Sequence, residues 1–101
     1  MTTININSDE HHANILNKSY MVIFFYGKTG CSPCELIKPK FKQWALKNPN
    51  IKFCYVEAPL FKINRLEGTP TFVAYVNGKP VRIIVGGNES KMNALITELN
   101  A

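Results

Sequence analysis

The sequence predicts an α/β domain with a mixed central sheet and helices on both of its faces. Three observations point there. Two unbroken apolar runs rich in β-formers, "YMVIFFY" (20–26) and "IKFCYVE" (51–57), read as strands buried on both sides of a sheet. Between them, Leu36, Ile37, Phe41, Trp44 and Ala45 recur at helical spacing. Later, "TFVAYV" (71–76) and "PVRIIV" are joined by Asn77-Gly78, the strongest short-range signal for a hairpin. Strands that alternate with helices and then close in a hairpin imply a sheet with both parallel and antiparallel pairs.

The elements follow in order. Ile4 and Ile6 suggest a short edge strand. Ser8, followed by Asp9 and Glu10, has the chemistry of an N-cap with acids in the first turn, so a helix is expected to about Asn17. The strand at 20–26 comes next, then a helix that opens near Cys31, bends around Pro39 and stops before Pro49. The strand at 51–57 leads into "PLFKINRL", a short helical or irregular segment. The hairpin follows. Asn88 or Ser90 can cap a last helix whose Met92, Leu95, Ile96 and Leu99 form one apolar stripe. The predicted order is β-α-β-α-β-α-β-β-α. No linker, repeat or composition shift divides residues 1–101, so one domain is expected.

Composition narrows the function classes. The N-terminus is polar and acidic rather than signal-like, and the longest apolar run is too short to span a bilayer. The expectation is a cytoplasmic, reducing location, with no membrane partner. The net charge of +5 comes from basic residues scattered along the chain, and only "KPKFK" (38–42) is dense. A solvated helix face explains that run more simply than a nucleic-acid footprint.

Cys31 and Cys34 carry the chemistry. At the first turn of a helix, Cys31 would face unpaired backbone N–H groups and the positive end of the helix dipole. Both favour thiolate over thiol. Cys34 lies one turn deeper on the same face, placed to attack a mixed disulfide formed at Cys31. Pro33 suits a first-turn position, where its missing N–H costs nothing. Gly27 and Gly30 let the chain turn sharply and leave the front sulfur approachable. A zinc site would need four ligands, and the remaining candidates are Cys54, in a core strand, and His11 and His12, in an N-terminal helix. No second close pair exists. An inert buried pair is the other bland alternative. Cys54 itself reads as a small buried hydrophobe, and both histidines as solvated helix residues.

In its motifs and their order the sequence resembles the thioredoxin family over nearly its whole length. The resemblance rests on "FFYG", then "CSPC" with Pro39 five residues beyond, "GTPT" (68–71) before a strand, and the "NGK" hairpin leading to "VGG" (85–87) and a terminal helix. It implies a thioredoxin fold and a reversible Cys31–Cys34 disulfide that reduces disulfide-containing proteins. The redox-active disulfide would be the only prosthetic element, and a thioredoxin reductase or another electron donor would restore it. It also implies a cis peptide bond before Pro70, with Thr69 offering its backbone to the substrate chain, and a substrate surface of Gly30, Ser32, Pro33, Thr69, Pro70, Gly86 and Gly87.

Departures from the family pattern accompany the resemblance. Ser32 replaces the usual glycine between the cysteines. Gly30 stands where a tryptophan is common, and Trp44 belongs to the helix stripe. The family's buried aspartate beneath the cysteines and its lysine partner map onto Phe24 and Phe53. Attack by Cys34 would then rely on water, on Cys31 as leaving group, or on Glu57 turned inward. Glu35 adds negative charge that opposes thiolate at Cys31. Disulfide exchange is expected to survive with an unusual pKa and potential. The alternatives are a glutaredoxin-like protein recycled by glutathione, and a redox-inactive thioredoxin-fold module that only binds a partner.

Overall fold

The computed structural model describes residues 3–60 and 68–101. Five strands and three α-helices are present among them: β1 (Thr3–Asn5), α1 (Asp9–Lys18), β2 (Met21–Gly27), α2 (Ser32–Lys47), β3 (Lys52–Glu57), β4 (Thr71–Val76), β5 (Lys79–Val85) and α3 (Glu89–Leu99). A 3-10 turn, Ala58–Leu60, follows β3. Most of the segment "PLFKINRL" lies outside the described residues.

The sheet order is β1-β3-β2-β4-β5. β1, β3 and β2 run parallel, and β4 and β5 are antiparallel. β2, in the middle, is buried from Val22 to Gly27, which accounts for its unbroken apolar run. The Asn77-Gly78 turn has positive φ at both residues, 53° and 79°, as a two-residue hairpin with right-handed strand twist requires. Register shifts between Ala74 and Tyr75 where they face β5. Pro80, which cannot donate a ladder bond, sits on this edge strand.

Helix ends obey local chemistry. The Ser8 hydroxyl accepts from the His11 N–H at 3.0 Å, and the Asn88 side-chain oxygen accepts from the Lys91 N–H at 3.0 Å. Each cap satisfies one of the four orphan donors at a helix start. α2 runs through Pro39, and Lys47 in its last turn complements the dipole.

Alternation along the strands sorts the core into two layers. Ile23, Phe25, Phe53, Phe72, Ala74 and Ile84 face one way, against Ile37, Phe41, Trp44 and Ala45 of α2 and Met92, Leu95 and Ile96 of α3. Val22, Phe24, Tyr26, Cys54, Val56 and Val73 face the other way, with Ile15 and Leu16 of α1 packed against them. Each fully buried Phe adds about 1.5–3 kcal/mol. Trp44 is core, as the helical spacing implied, and its Nε1–H donates to Asn93 Oδ1 at 3.1 Å. That bond spares the buried indole an unpaired donor. His12 departs from the expectation of a solvated residue. It is half-buried, stacks on Phe24 at 4.0 Å between ring centroids, and shares a 2.8 Å hydrogen bond with the Tyr26 hydroxyl.

Candidate active site

Cys31 is the N-cap of α2. Its backbone is extended, and its Sγ accepts from the Cys34 N–H at 3.3 Å, the role that a Ser or Asp oxygen plays in an ordinary cap. Ser32 and Pro33 fill the first helical positions, where proline costs no hydrogen bond. The Glu35 N–H reaches back to the Cys31 carbonyl at 3.1 Å. Cys31 and Cys34 are joined in a disulfide, with Cα atoms 5.2 Å apart. Cys31 is 7% exposed and Cys34 is 0% exposed, so only the front sulfur can be approached from solvent.

Opposite the pair, the Thr69–Pro70 bond is cis, as expected. The Thr69 carbonyl oxygen lies 3.6 Å from Cys31 Sγ. Pro70 is buried, and its carbonyl accepts from the Gly86 N–H at 2.8 Å. Gly86 has φ +97°, a conformation that favours glycine. A Cβ on Gly87 would lie 3.7 Å from the Pro33 carbonyl oxygen and 3.9 Å from Pro70 Cγ, so this glycine borders both sides of the site. Gly30, Ser32 and Pro33 are exposed at the rim. The structure thus brings together the residues chosen from the sequence: Cys31, Cys34, Gly30, Ser32, Pro33, Thr69, Pro70, Gly86 and Gly87.

Phe24 requires a correction. It points away from the cysteines, into the layer with α1, whereas Phe25 shares the cysteines' layer. A one-residue step along a strand exchanges its two faces, so Phe25 and not Phe24 holds the place beneath the cysteines, and the neighbouring place on β3 belongs to Tyr55, two residues beyond Phe53 on the same face. The strand partner of Phe25 is Tyr55, while Phe53 pairs with Ile23, further down β2. Phe25 and Tyr55 meet edge to face at 5.0 Å, and Phe25 also packs on Phe41 and Phe72. The floor beneath the cysteines is therefore aromatic.

Glu57 does not turn inward. Its carboxylate accepts from the Thr29 N–H at 2.6 Å, the Thr29 hydroxyl at 3.0 Å and the Tyr55 hydroxyl at 2.8 Å. Glu35 is exposed and pairs with Lys38 at 3.4 Å, which offsets the charge that it brings to the helix start. Lys38 also lies 4.6 Å from the Tyr55 ring centroid. Burial first, then the bond to Glu57, pushes the Tyr55 hydroxyl pKa upward, so it stays a donor. Cys54 is buried in the opposite layer, its thiol pushed up to about 12 by burial, with Lys52 pulling the other way. It is a packing residue and takes no part in the pair. Among the described residues no three His, Cys, Asp or Glu side chains cluster where they could hold a metal.

Tyr55, Thr29 and Glu57 were not identified as a group from the sequence. Strand alternation puts Tyr55 and Glu57 on one face of β3, but Thr29 lies in the loop beyond β2, where no periodicity marks it.

The family model for thioredoxin matches residues 2–99. Thioredoxin-2 of Pyricularia oryzae is 31% identical over 96% of this chain, which spans 59% of that protein's length. Thioredoxin-1 of Schizosaccharomyces pombe is 32% identical over 89% of this chain and 90% of its own. Among solved structures, Plasmodium falciparum thioredoxin superposes with a TM-score of 0.90 over 95% of this chain and 98% of its own, at 23% identity, a likeness of fold. The motif order, the disulfide at the head of α2 and the match over almost every residue agree: the chain belongs to the thioredoxin family.

Proposed function

We propose that this protein is a protein-disulfide reductase that cycles between a Cys31–Cys34 dithiol and a disulfide. The observation that carries the reading is the setting of Cys31 Sγ, over the Cys34 N–H at the start of α2, joined to Cys34 and 3.6 Å from the Thr69 carbonyl. The backbone N–H and the positive helix end favour negative charge on that sulfur.

In the reductive direction, the Cys31 thiolate attacks one sulfur of a substrate disulfide. The Cys31–substrate S–S bond forms, the substrate's own S–S bond breaks, and the first substrate sulfur leaves as a thiolate. Cys34, deprotonated by water or by that leaving thiolate, then attacks Cys31 Sγ. The Cys31–Cys34 bond forms and the second substrate thiol leaves. Two electrons have passed to the substrate, and an external dithiol donor, such as a thioredoxin reductase, returns them to the pair. Thr69 would pair its backbone with the extended substrate chain, as in strand addition. Ser32, Pro33, Gly86 and Gly87 would line its path, and Gly30 would leave the rim open.

A reducing, cytoplasmic compartment suits this role. No described helix is long and apolar enough to cross a membrane. The glutaredoxin-like and binding-module alternatives find no favour among relatives named as thioredoxins.

The test is reduction of insulin disulfides with dithiothreitol as donor. The wild-type protein should turn over, Cys31→Ser should abolish turnover above the uncatalysed rate, and reduced Cys34→Ser, mixed with insulin after the dithiothreitol is removed, should accumulate the mixed disulfide at Cys31. A Cys31→Ser variant with undiminished turnover would refute the assignment.

A further inference from the structure

We propose that Glu57 is a positioning residue for the Cys31 nucleophile, acting through Thr29; the inference rests on the thiol–disulfide reading above. Glu57 ends β3 and pairs in register with Gly27, the last residue of β2. From there its carboxylate spans to the loop that delivers Cys31. Oε2 accepts both the N–H and the hydroxyl of Thr29, and Oε1 accepts the Tyr55 hydroxyl. Both oxygens are committed, so the carboxylate's aim is set by Tyr55 on one side while it holds the loop on the other. Burial would raise its pKa, but the bonds from Tyr55 and Thr29, with Lys38 nearby, outweigh that and hold it below the usual value. It is ionised, and a strong acceptor, at neutral pH.

The loop depends on such a tether. Lys28, Thr29 and Gly30 are all exposed, and a Cβ at Gly30 would meet nothing within 4 Å. No buried side chain of its own anchors the segment. Its conformation is particular: Gly30 sits at φ +85°, and the Cys31 N–H closes on the Lys28 carbonyl at 3.3 Å. Thr29 is two residues before Cys31. Releasing it lets the chain rotate about Gly30, and Cys31 Sγ loses its held place over the Cys34 N–H. The thiolate then loses a hydrogen bond that stabilises its charged form.

The charge of Glu57 acts in the opposite sense. A carboxylate near a thiolate disfavours it, so removing the charge alone would lower the Cys31 pKa. Positioning and Coulomb repulsion therefore predict opposite signs when Glu57 is truncated.

The experiment measures the pH dependence of Cys31 alkylation by iodoacetamide in the reduced protein, mapped by mass spectrometry, for wild type, Glu57→Ala and Glu57→Gln. Glu57→Ala should move the thiolate titration upward and slow alkylation at pH 7 by about threefold or more. Glu57→Gln, whose amide oxygen can still accept from Thr29, should recover most of the wild-type rate. Thr29→Ala, which loses the hydroxyl and keeps the N–H, should move the titration in the same upward direction by less, and it supplies the answer if Glu57→Ala does not fold. A titration unchanged or lowered in Glu57→Ala and Thr29→Ala, or Glu57→Gln displaced as far as Glu57→Ala, overturns the proposal. Alkylation reads the thiolate without turnover. A wild-type protein that alkylates at Cys31 and reduces no insulin would count against the reductase reading and leave this test standing.

Discussion

At Gly30 the backbone has φ +85°, and the space where a side chain would go is empty. The residue is there for its backbone angle and not to make room. Gly30→Ala should therefore cost about 1–2 kcal/mol of stability through conformation alone, measurable as a lower midpoint in urea with an unchanged m-value. The tryptophan common at this place in the family would meet the same penalty, so the open rim and the loop conformation go together. Cys54 illustrates a residue whose chemistry is suppressed by its surroundings. With its thiol pushed up to about 12 and no exposure, it should not react with a thiol reagent in the native reduced protein. Thiol counting with Ellman's reagent checks this: reaction at Cys54 without denaturant contradicts it.

At the scale of the element, β2 decides which face does what. Phe24 and Phe25 are both fully buried and adjacent, yet they serve opposite layers. Phe24→Ala and Phe25→Ala should each destabilise the fold by about 3–5 kcal/mol. Only Phe25→Ala removes packing from the cysteines' layer, so it alone should change the rate at which Cys31 is alkylated. Parallel chemical denaturation and alkylation of the two variants separates the faces, and an equal change in alkylation for both contradicts the assignment. The residue types in β2 announce a buried strand. Its phase relative to the cysteines depends on which side α2 packs, and a run of seven apolar residues carries no polar marker of that side.

For the whole molecule, His12 joins α1 to the sheet through Phe24 and Tyr26. Burial lowers its pKa, with Asp9 opposing and His11 adding to the lowering. A depressed histidine remains neutral in the folded state while the unfolded chain binds a proton at about pH 6.5. The unfolded state then holds more protons, so stability is fully present above that pH and declines as pH falls below it. The melting temperature should drop between about pH 7.5 and pH 5.5. His12→Gln, which does not titrate, should show a smaller drop, and an identical drop contradicts the linkage. Glu57, with its lowered pKa, contributes stability above its ordinary value that is lost only at more acidic pH, as pH falls through the folded value. The two contributions therefore fall in separate windows.

The chain's local chemistry was sufficient for the cap at Ser8, for Asn88 as one of two candidate caps of the last helix, for the Asn77-Gly78 hairpin, for the extent of each described strand and α-helix to within a residue or two, and for the pairing of Cys31 with Cys34. Each depends on neighbours within a turn or a hairpin, so each is legible from spacing and residue type. The cis bond before Pro70 and its place beside the cysteines came through the family resemblance. Tertiary structure alone decided that Phe25 and not Phe24 lies beneath the cysteines, that His12 is bound into the α1 layer, and that Glu57 holds Thr29 from 28 residues away. These contacts exist only after parallel strands align and helices choose faces. Their energies come from groups that do not meet until the sheet has formed.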